Sequence, residues 1–308
     1  MITTNIAFYS CYNIAMLLKA DKWKDYACLD AGNGEKLERW KDIILRRPDP
    51  QAIWPFDKKD FDWRNVDAVY HRSRSGGGNW EYKHTLPESW TVDYGNLTFK
   101  VSPTGFKHTG LFPEQAVNWD WMSDLISSHS DEDLRILNLF AYTGGATMAC
   151  SAAGAKEVVH VDASKGMVNW AKENMELCHL EDHTIRFIVD DVYKFVQREK
   201  RRGRTYHGIL MDPPSYGRGP NGEMWKFEKE ITDLITECLG ILDDHALFFL
   251  INSYTTGFSH VVLNNLMKTL ILPSHPEGSI DTGEVTIPLE KRDMVLPCGI
   301  YGRWERHD

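Results

Sequence analysis

From residue 135 onward, short apolar runs alternate with stretches whose apolar residues recur at helical spacing, the pattern of a parallel sheet covered on both faces. Residues 136–140, 157–161, 185–189, 207–211 and 246–251 read as strands. Residues 147–154, 167–178 and 224–242 read as helices, and 294–304 as the last strand. The pattern upstream is different. Tyr26-Ala-Cys-Leu and Lys36-Leu-Glu-Arg-Trp flank Asn33-Gly34, while Trp90-Thr-Val-Asp-Tyr and Leu97-Thr-Phe-Lys-Val flank Gly95-Asn96. Both are extended runs around a pair that tolerates positive φ, so two hairpins are expected. Arg46-Arg47-Pro-Asp-Pro and Arg72-Ser-Arg-Ser-Gly-Gly-Gly are expected as loops. The prediction is a β-rich domain at 1–115 followed by a Rossmann-like α/β domain at 116–308 with a mostly parallel, seven-stranded sheet.

The first strand of the α/β half runs into Ala141-Tyr-Thr-Gly-Gly-Ala146, where Gly144 and Gly145 let the backbone approach a ligand. An ordinary strand-to-helix turn is the other reading. Asp162 ends the next strand, 18 residues after Gly144, close to the spacing at which a carboxylate accepts both ribose hydroxyls. Tyr142 stands where a dinucleotide fingerprint has its first glycine, so a pyrophosphate would lose its nest, which weakens an NAD-dependent oxidoreductase. S-adenosylmethionine (SAM) carries no phosphate and dispenses with that cradle. Its adenine amine still needs an acceptor, supplied by Asp190 or Asp191, which also suit a helix N-cap before Val192. At the end of the fourth strand, Met211-Asp-Pro-Pro-Ser-Tyr-Gly-Arg218 forms a loop stiffened by Pro213 and Pro214. Such a loop holds Asp212 at a constant distance from the methyl donor and leaves Ser215 or Tyr216 to touch the acceptor.

Asn138-Leu-Phe-Ala-Tyr-Thr-Gly-Gly145, Val161-Asp162, Asp190-Asp191-Val and Asp212-Pro-Pro-Ser resemble the successive motifs of class I SAM-dependent methyltransferases. Within that class the chain resembles the bacterial large-subunit rRNA (cytosine-5)-methyltransferase-like family, in which a small β-rich domain precedes the catalytic one. Gly105-Phe-Lys-His-Thr-Gly-Leu-Phe-Pro-Glu-Gln115 looks like that family's interdomain segment, which closes over SAM. The resemblance spans roughly residues 90–302 and implies SAM contacts by Lys107, Thr109, Gln115, Phe140, Tyr142, Gly144, Asp162 and Asp191. Asn138, Gly145, Ser164, Asp190 and Asp212 complete the expected cofactor set, and Asp212, Pro213, Pro214 and Ser215 the catalytic one. Two departures stand out. Cytosine-5 chemistry needs a thiolate, which these relatives carry just after the fifth strand. Here that stretch reads Leu250-Ile-Asn-Ser-Tyr-Thr255; Cys298 could reach the pocket from the last strand but reads rather as a buried structural thiol, so 5-methylcytosine is not the expected product. The second is the N-terminal RNA-binding domain of the PUA type carried by many relatives, which is not expected in residues 1–25.

With 35 Lys and Arg against 44 Asp and Glu, the net charge of −9 provides no global field for a phosphate backbone, so nucleic-acid contact has to be local. Basic islands lie at Arg46-Arg47, His71-Arg-Ser-Arg74 and Lys83-His84, near Trp54, Trp63, Trp80 and Tyr82. These mixtures suit either single-stranded RNA or a plain surface. The run 198–204 reads as a solvated helix end. Six scattered cysteines without a CxxC pair fit a reducing cytoplasm, and neither a membrane span nor a metal site is expected. The expected activity is direct methyl transfer to a base in RNA, with rRNA as the substrate class. A protein or metabolite acceptor, or a SAM-binding module without catalysis, are the alternatives. The oligomeric state is not legible.

Overall fold

The computed structural model describes residues 16–56, 61–73, 77–105, 108–218 and 224–307. The first half is made of short strands: β1 (Met16–Lys19), β2 (Tyr26–Gly32), β3 (Glu35–Trp40) and β4 (Ile43–Pro48), then one helical turn α1 (Phe61–Arg64), β5 (Ala68–Arg72), β6 (Gly78–Tyr82), β7 (Trp90–Tyr94) and β8 (Leu97–Val101). β2 to β6 pair in chain order as a five-stranded sheet, and β7 with β8 form a separate hairpin. Both expected turns are present, with Asn33 at φ 50° and Gly34 at 80° in one and Gly95 at 59° in the other. The loop expected at Arg46-Arg47-Pro48 is instead the end of β4. Arg47 is drawn into the sheet by Glu38 of β3, Nε to Oε2 2.6 Å, and Pro48, as the last residue of the strand, has little ladder to interrupt.

A 3-10 turn at Pro113–Gln115 leads into α2 (Ala116–Ser128), after which strands and helices alternate: β9 (Arg135–Leu139), α3 (Gly145–Ala152), β10 (Glu157–Asp162), α4 (Lys165–Leu177), β11 (Ile185–Val189), α5 (Val192–Arg201) and β12 (Gly208–Met211). A small hairpin, β13 (Tyr216–Arg218) and β14 (Met224–Lys226), precedes α6 (Phe227–Leu239), β15 (Phe248–Ser253), α7 (His260–Leu270), β16 (Gly278–Pro288) and β17 (Val295–Arg306). The helix expected from residue 224 therefore starts at Phe227. Met224–Lys226 pair with β13 instead, Tyr216 opposite Lys226, because the strand leaving the two prolines offers them a ladder.

The large sheet has the order β1-β16-β17-β15-β12-β9-β10-β11, eight strands rather than the seven expected. The extra one is β1, parallel to β16, so the N-terminal segment already contributes to the sheet expected of the second half. β17 runs antiparallel to both its neighbours and the other pairings are parallel. Side chains alternate across the sheet. Ile136, Val158, Leu210 and Leu250 enter one core, and Leu137, Val159, Ile209 and Ile251 the other. The first core continues into Trp40, Leu45, Val92 and Phe99, which seats the smaller sheet and the hairpin on that face. Arg292 adds a tie between the β16–β17 turn and the small sheet, Nε to Asp30 Oδ1 2.9 Å.

Candidate functional site

Strand order reverses between β9 and β12, which places a crevice beyond the carboxyl ends of the strands. A cavity of about 480 Å³ opens there, lined among others by Phe140, Tyr142, Asp162, Ser164, Asp191, Asp212, Pro213 and Pro214. A recess of about 60 Å³ continues inward between Gln115, Asn138 and Gly145. The loops after five different strands, β9, β10, β11, β12 and β15, converge on it.

The loop after β9 is held in an unusual shape. Phe140 and Tyr142 both have positive φ, 56° and 52°, conformations that side chains adopt only where surroundings enforce them. Asp162 enforces one of them by accepting the Tyr142 N–H at Oδ2, 2.9 Å, while its Oδ1 accepts from Ser164 N at 2.8 Å. Each oxygen keeps a second lone pair. Burial raises the pKa of Asp162 against these two backbone bonds, so the carboxyl is under-solvated and suited to a vicinal diol. Ser164 and Asp191 line the cavity while capping α4 and α5, through Met167 N and Lys194 N. Asp190 is turned away, with Arg198 on its Oδ2.

Other expected residues stand behind the wall. Gly144 has φ 86° and caps α3, where a Cβ would meet Ala171 and Met148 at 3.1 Å. A Cβ at Gly145 would meet the Trp119 ring at 2.5 Å, so this glycine also serves helix packing. Asn138 donates to Thr147 Oγ1 at 2.9 Å, fixing α3 over β9. Thr109 is fully buried and its Oγ1 has no hydrogen-bond partner among the described residues. Ser215 is exposed outside the cavity lining. Lys107 lies outside the described residues.

One side of the cavity is aromatic. Phe112 packs against Tyr142 at 5.3 Å and Tyr254 at 5.7 Å between ring centroids, and Phe140 against Trp225 at 5.2 Å. Trp225 Nε1 donates to the Pro214 carbonyl at 2.6 Å, so the β13–β14 hairpin braces the two-proline loop. Burial, reinforced by the nearby Glu114 charge, raises the Asp212 carboxyl to about 7. Such a group can carry a proton in either direction near neutrality. Phe112, Glu114, Trp225 and Tyr254 were not singled out from sequence. The first two lie inside the recognised segment 105–115, and Tyr254 sits directly after β15, where a cysteine was sought.

Several polar features expected on the surface are neutralised. Arg47 pairs with buried Glu38, Arg46 with Glu35 at 3.3 Å, His71 and Lys83 with Glu81, and His84 with Asp67. Arg74 of the same islands lies outside the described residues. Trp63 and Trp80 are tied into the fold through Asp30 and the Thr104 carbonyl. Burial pushes the Cys298 thiol well up, opposite to what a nucleophile needs.

An open sheet of this order, with the Asp162 carboxylate at the end of β10 facing the crevice, is the architecture of a class I methyltransferase fold. The family model described as "S-adenosylmethionine-dependent methyltransferase" matches residues 64–260. A solved SAM-dependent methyltransferase from Agrobacterium tumefaciens is 38% identical, with a TM-score of 0.89 over 95% of this chain and 94% of that one. The chain belongs to the SAM-dependent methyltransferase family. It is also 39% identical over 170 residues to ribosomal RNA large subunit methyltransferase I of Cronobacter sakazakii, covering 54% of this chain and 40% of the relative. Ribosomal RNA large subunit methyltransferase K/L of Shewanella frigidimarina is 27% identical over 241 residues, 75% of this chain and 31% of the relative. The chain thus spans less than half the length of these curated relatives.

Proposed function

We propose that this protein methylates a base in RNA, with ribosomal RNA as the substrate class, by direct transfer to a nitrogen. Bound SAM supplies an electrophilic methyl group on its sulfonium. In this reading Asp162 holds the ribose hydroxyls, Asp191 and Ser164 border the nucleoside, and the buried Thr109 hydroxyl gains a partner. Lys107, Gln115, Asn138, Gly144, Gly145 and Asp190 stay in the proposed set, the last four as supports of the loops rather than as contacts. Asp212, held by Pro213 and Pro214, accepts a proton from the acceptor, and Ser215 borders the outer rim.

The observation that carries this reading is Asp212 in a cavity walled by Phe112, Phe140, Trp225 and Tyr254, a slot for a flat ring next to a proton acceptor. A target inside a structured RNA would swing out of its stack to enter it. Among the described residues no cysteine lines the cavity, so a carbon acceptor that needs covalent activation is not favoured. The names of the curated relatives support ribosomal RNA. We assign residues 1–115 to acceptor recognition and 116–308 to catalysis, with Phe112 and Gln115 of the first part reaching the site. Among the described residues no helix is long and apolar enough to cross a membrane, and a cytoplasmic site of action follows from the proposed substrate.

The test is transfer of labelled methyl from SAM to total RNA from cells lacking this gene, with and without RNase, beside Asp212→Ala. Label that is RNase-sensitive and lost in the variant supports the proposal. Label that survives RNase would move the acceptor to a protein or metabolite, and SAM binding without transfer would leave a binding module.

A further inference from the structure

Arg303 of β17 is 8% exposed and lies outside the cavity lining, with its guanidinium over the rings of Trp121 at 4.6 Å and Tyr301 at 4.9 Å. Its hydrogen bonds run to amide oxygens: Nε and Nη2 to Asn118 Oδ1 at 3.0 and 2.6 Å, and Nη2 to the Val117 carbonyl at 3.0 Å. A guanidinium only donates. Asn118 must therefore face it with oxygen and turn its NH2 the other way, where it donates to Gln115 Oε1 at 2.8 Å and Asn252 Oδ1 at 3.0 Å. Gln115 Oε1 also takes a bond from Asn252 Nδ2 at 3.0 Å. That leaves Gln115 Nε2 to donate to the Tyr254 hydroxyl at 2.7 Å. Amide orientation is usually ambiguous, but here one donor-only residue decides it at every link. Tyr254 oxygen receives, so its one proton is turned away from Gln115 and toward the Glu114 carboxyl, with which the phenol shares a hydrogen bond.

We propose that Arg303 and Asn118 are positioning residues for methyl transfer, which through Gln115 fix Tyr254 in the cavity wall with its proton turned toward Glu114. The proposal rests on the methyltransferase reading of that cavity. Each bond in the chain polarises the next, and the Gln115 bond acts to strengthen the phenol as a donor against the burial that opposes it. Burial pulls the Arg303 pKa down to about 10, which still leaves it charged at neutral pH.

Asn118→Asp tests the direction of the chain. The carboxylate keeps the bond to Arg303 but cannot donate, so Gln115 turns over, presents its oxygen to Tyr254 and draws the phenol proton backwards. With RNA from cells lacking this gene as acceptor, kcat should fall about ten- to hundredfold in Asn118→Asp and in Tyr254→Phe. The double variant should be no slower than Tyr254→Phe, and in Tyr254→Phe, which leaves Gln115 in place, S-adenosylhomocysteine affinity should stay within about twofold. Additive losses, or a matching loss of S-adenosylhomocysteine affinity in Tyr254→Phe, would overturn the proposal. A second readout needs no acceptor. In protein carrying 13C at tyrosine Cζ, the resonance absent from Tyr254→Phe should shift in Asn118→Asp, and in the same direction in Gln115→Glu, which reverses the last link alone. An unmoved resonance sinks the relay. If wild-type protein labels no RNA, the acceptor proposal fails while this resonance still decides the relay.

Discussion

Two buried polar networks in this molecule are built on opposite terms. In the small sheet, Glu38 accepts from Arg47 at 2.6 and 2.9 Å and from the Tyr26 hydroxyl at 2.8 Å, with Lys36 at 3.3 Å and Asp49 beyond it. Burial pushes Glu38 up, but Arg47 and Lys36 outweigh it and hold the carboxyl at about 2. Each charge there meets its opposite. In the large sheet, Arg303 meets neutral amides, and the imbalance is handed along Asn118 and Gln115 to Tyr254. Paired charges close on themselves and hold a shape. One hydrogen-bonded to amide oxygens imposes a direction, and this network ends at a cavity while the other ends in the core.

The comparison can be broken at either side. Glu38→Gln leaves Arg47 buried without its charge partner and should cost about 3–5 kcal/mol, read by denaturant unfolding, with little change in transfer per folded molecule. A large loss of kcat at full stability would mean that the small sheet takes part in chemistry. Asp212→Asn should have the reverse signature, transfer falling about 10²- to 10³-fold. The folded state keeps a proton on Asp212 up to about pH 7, whereas the unfolded chain releases it near 4, so stability from this group is lost as pH rises through that window. The Asn variant should therefore melt about 2–4 °C higher at pH 8. Asp162→Asn weakens the proposed diol contact, and calorimetry should find SAM binding about ten- to hundredfold weaker, with kcat at saturating SAM much less affected. The smallest effect concerns pH. Wild-type kcat should fall as pH drops below about 7, and Glu114→Gln, which removes a like charge, should move that limb to lower pH by no more than about one unit. A limb that moves upward would contradict the arrangement of the two carboxyls.

Patterning made the large sheet legible. Residues 185–189 coincide with β11, and the other central strands lie within a residue or two of their apolar runs. Buried parallel strands are apolar on both faces, a signal that survives without any partner. β4 and β14 were hidden because their strand character is conferred from outside, on Arg47 by Glu38 and on Met224–Lys226 by β13. The site divides in the same way. Asp162 and the Asp212-Pro-Pro loop were visible because strand ends carry their position in the sequence. Asp190 and Asp191 were indistinguishable there, yet one residue of backbone turns the first onto Arg198 and the second to the cavity.

What the sequence by itself determined is the order of strands and helices and the loops that end at the crevice, since periodicity, glycine and proline act locally. Only the tertiary structure decided which polar side chains face one another. Glu114, Asn118, Tyr254 and Arg303 are separated by up to 189 positions, and their roles follow from hydrogen-bond direction across packed elements, which no local pattern encodes.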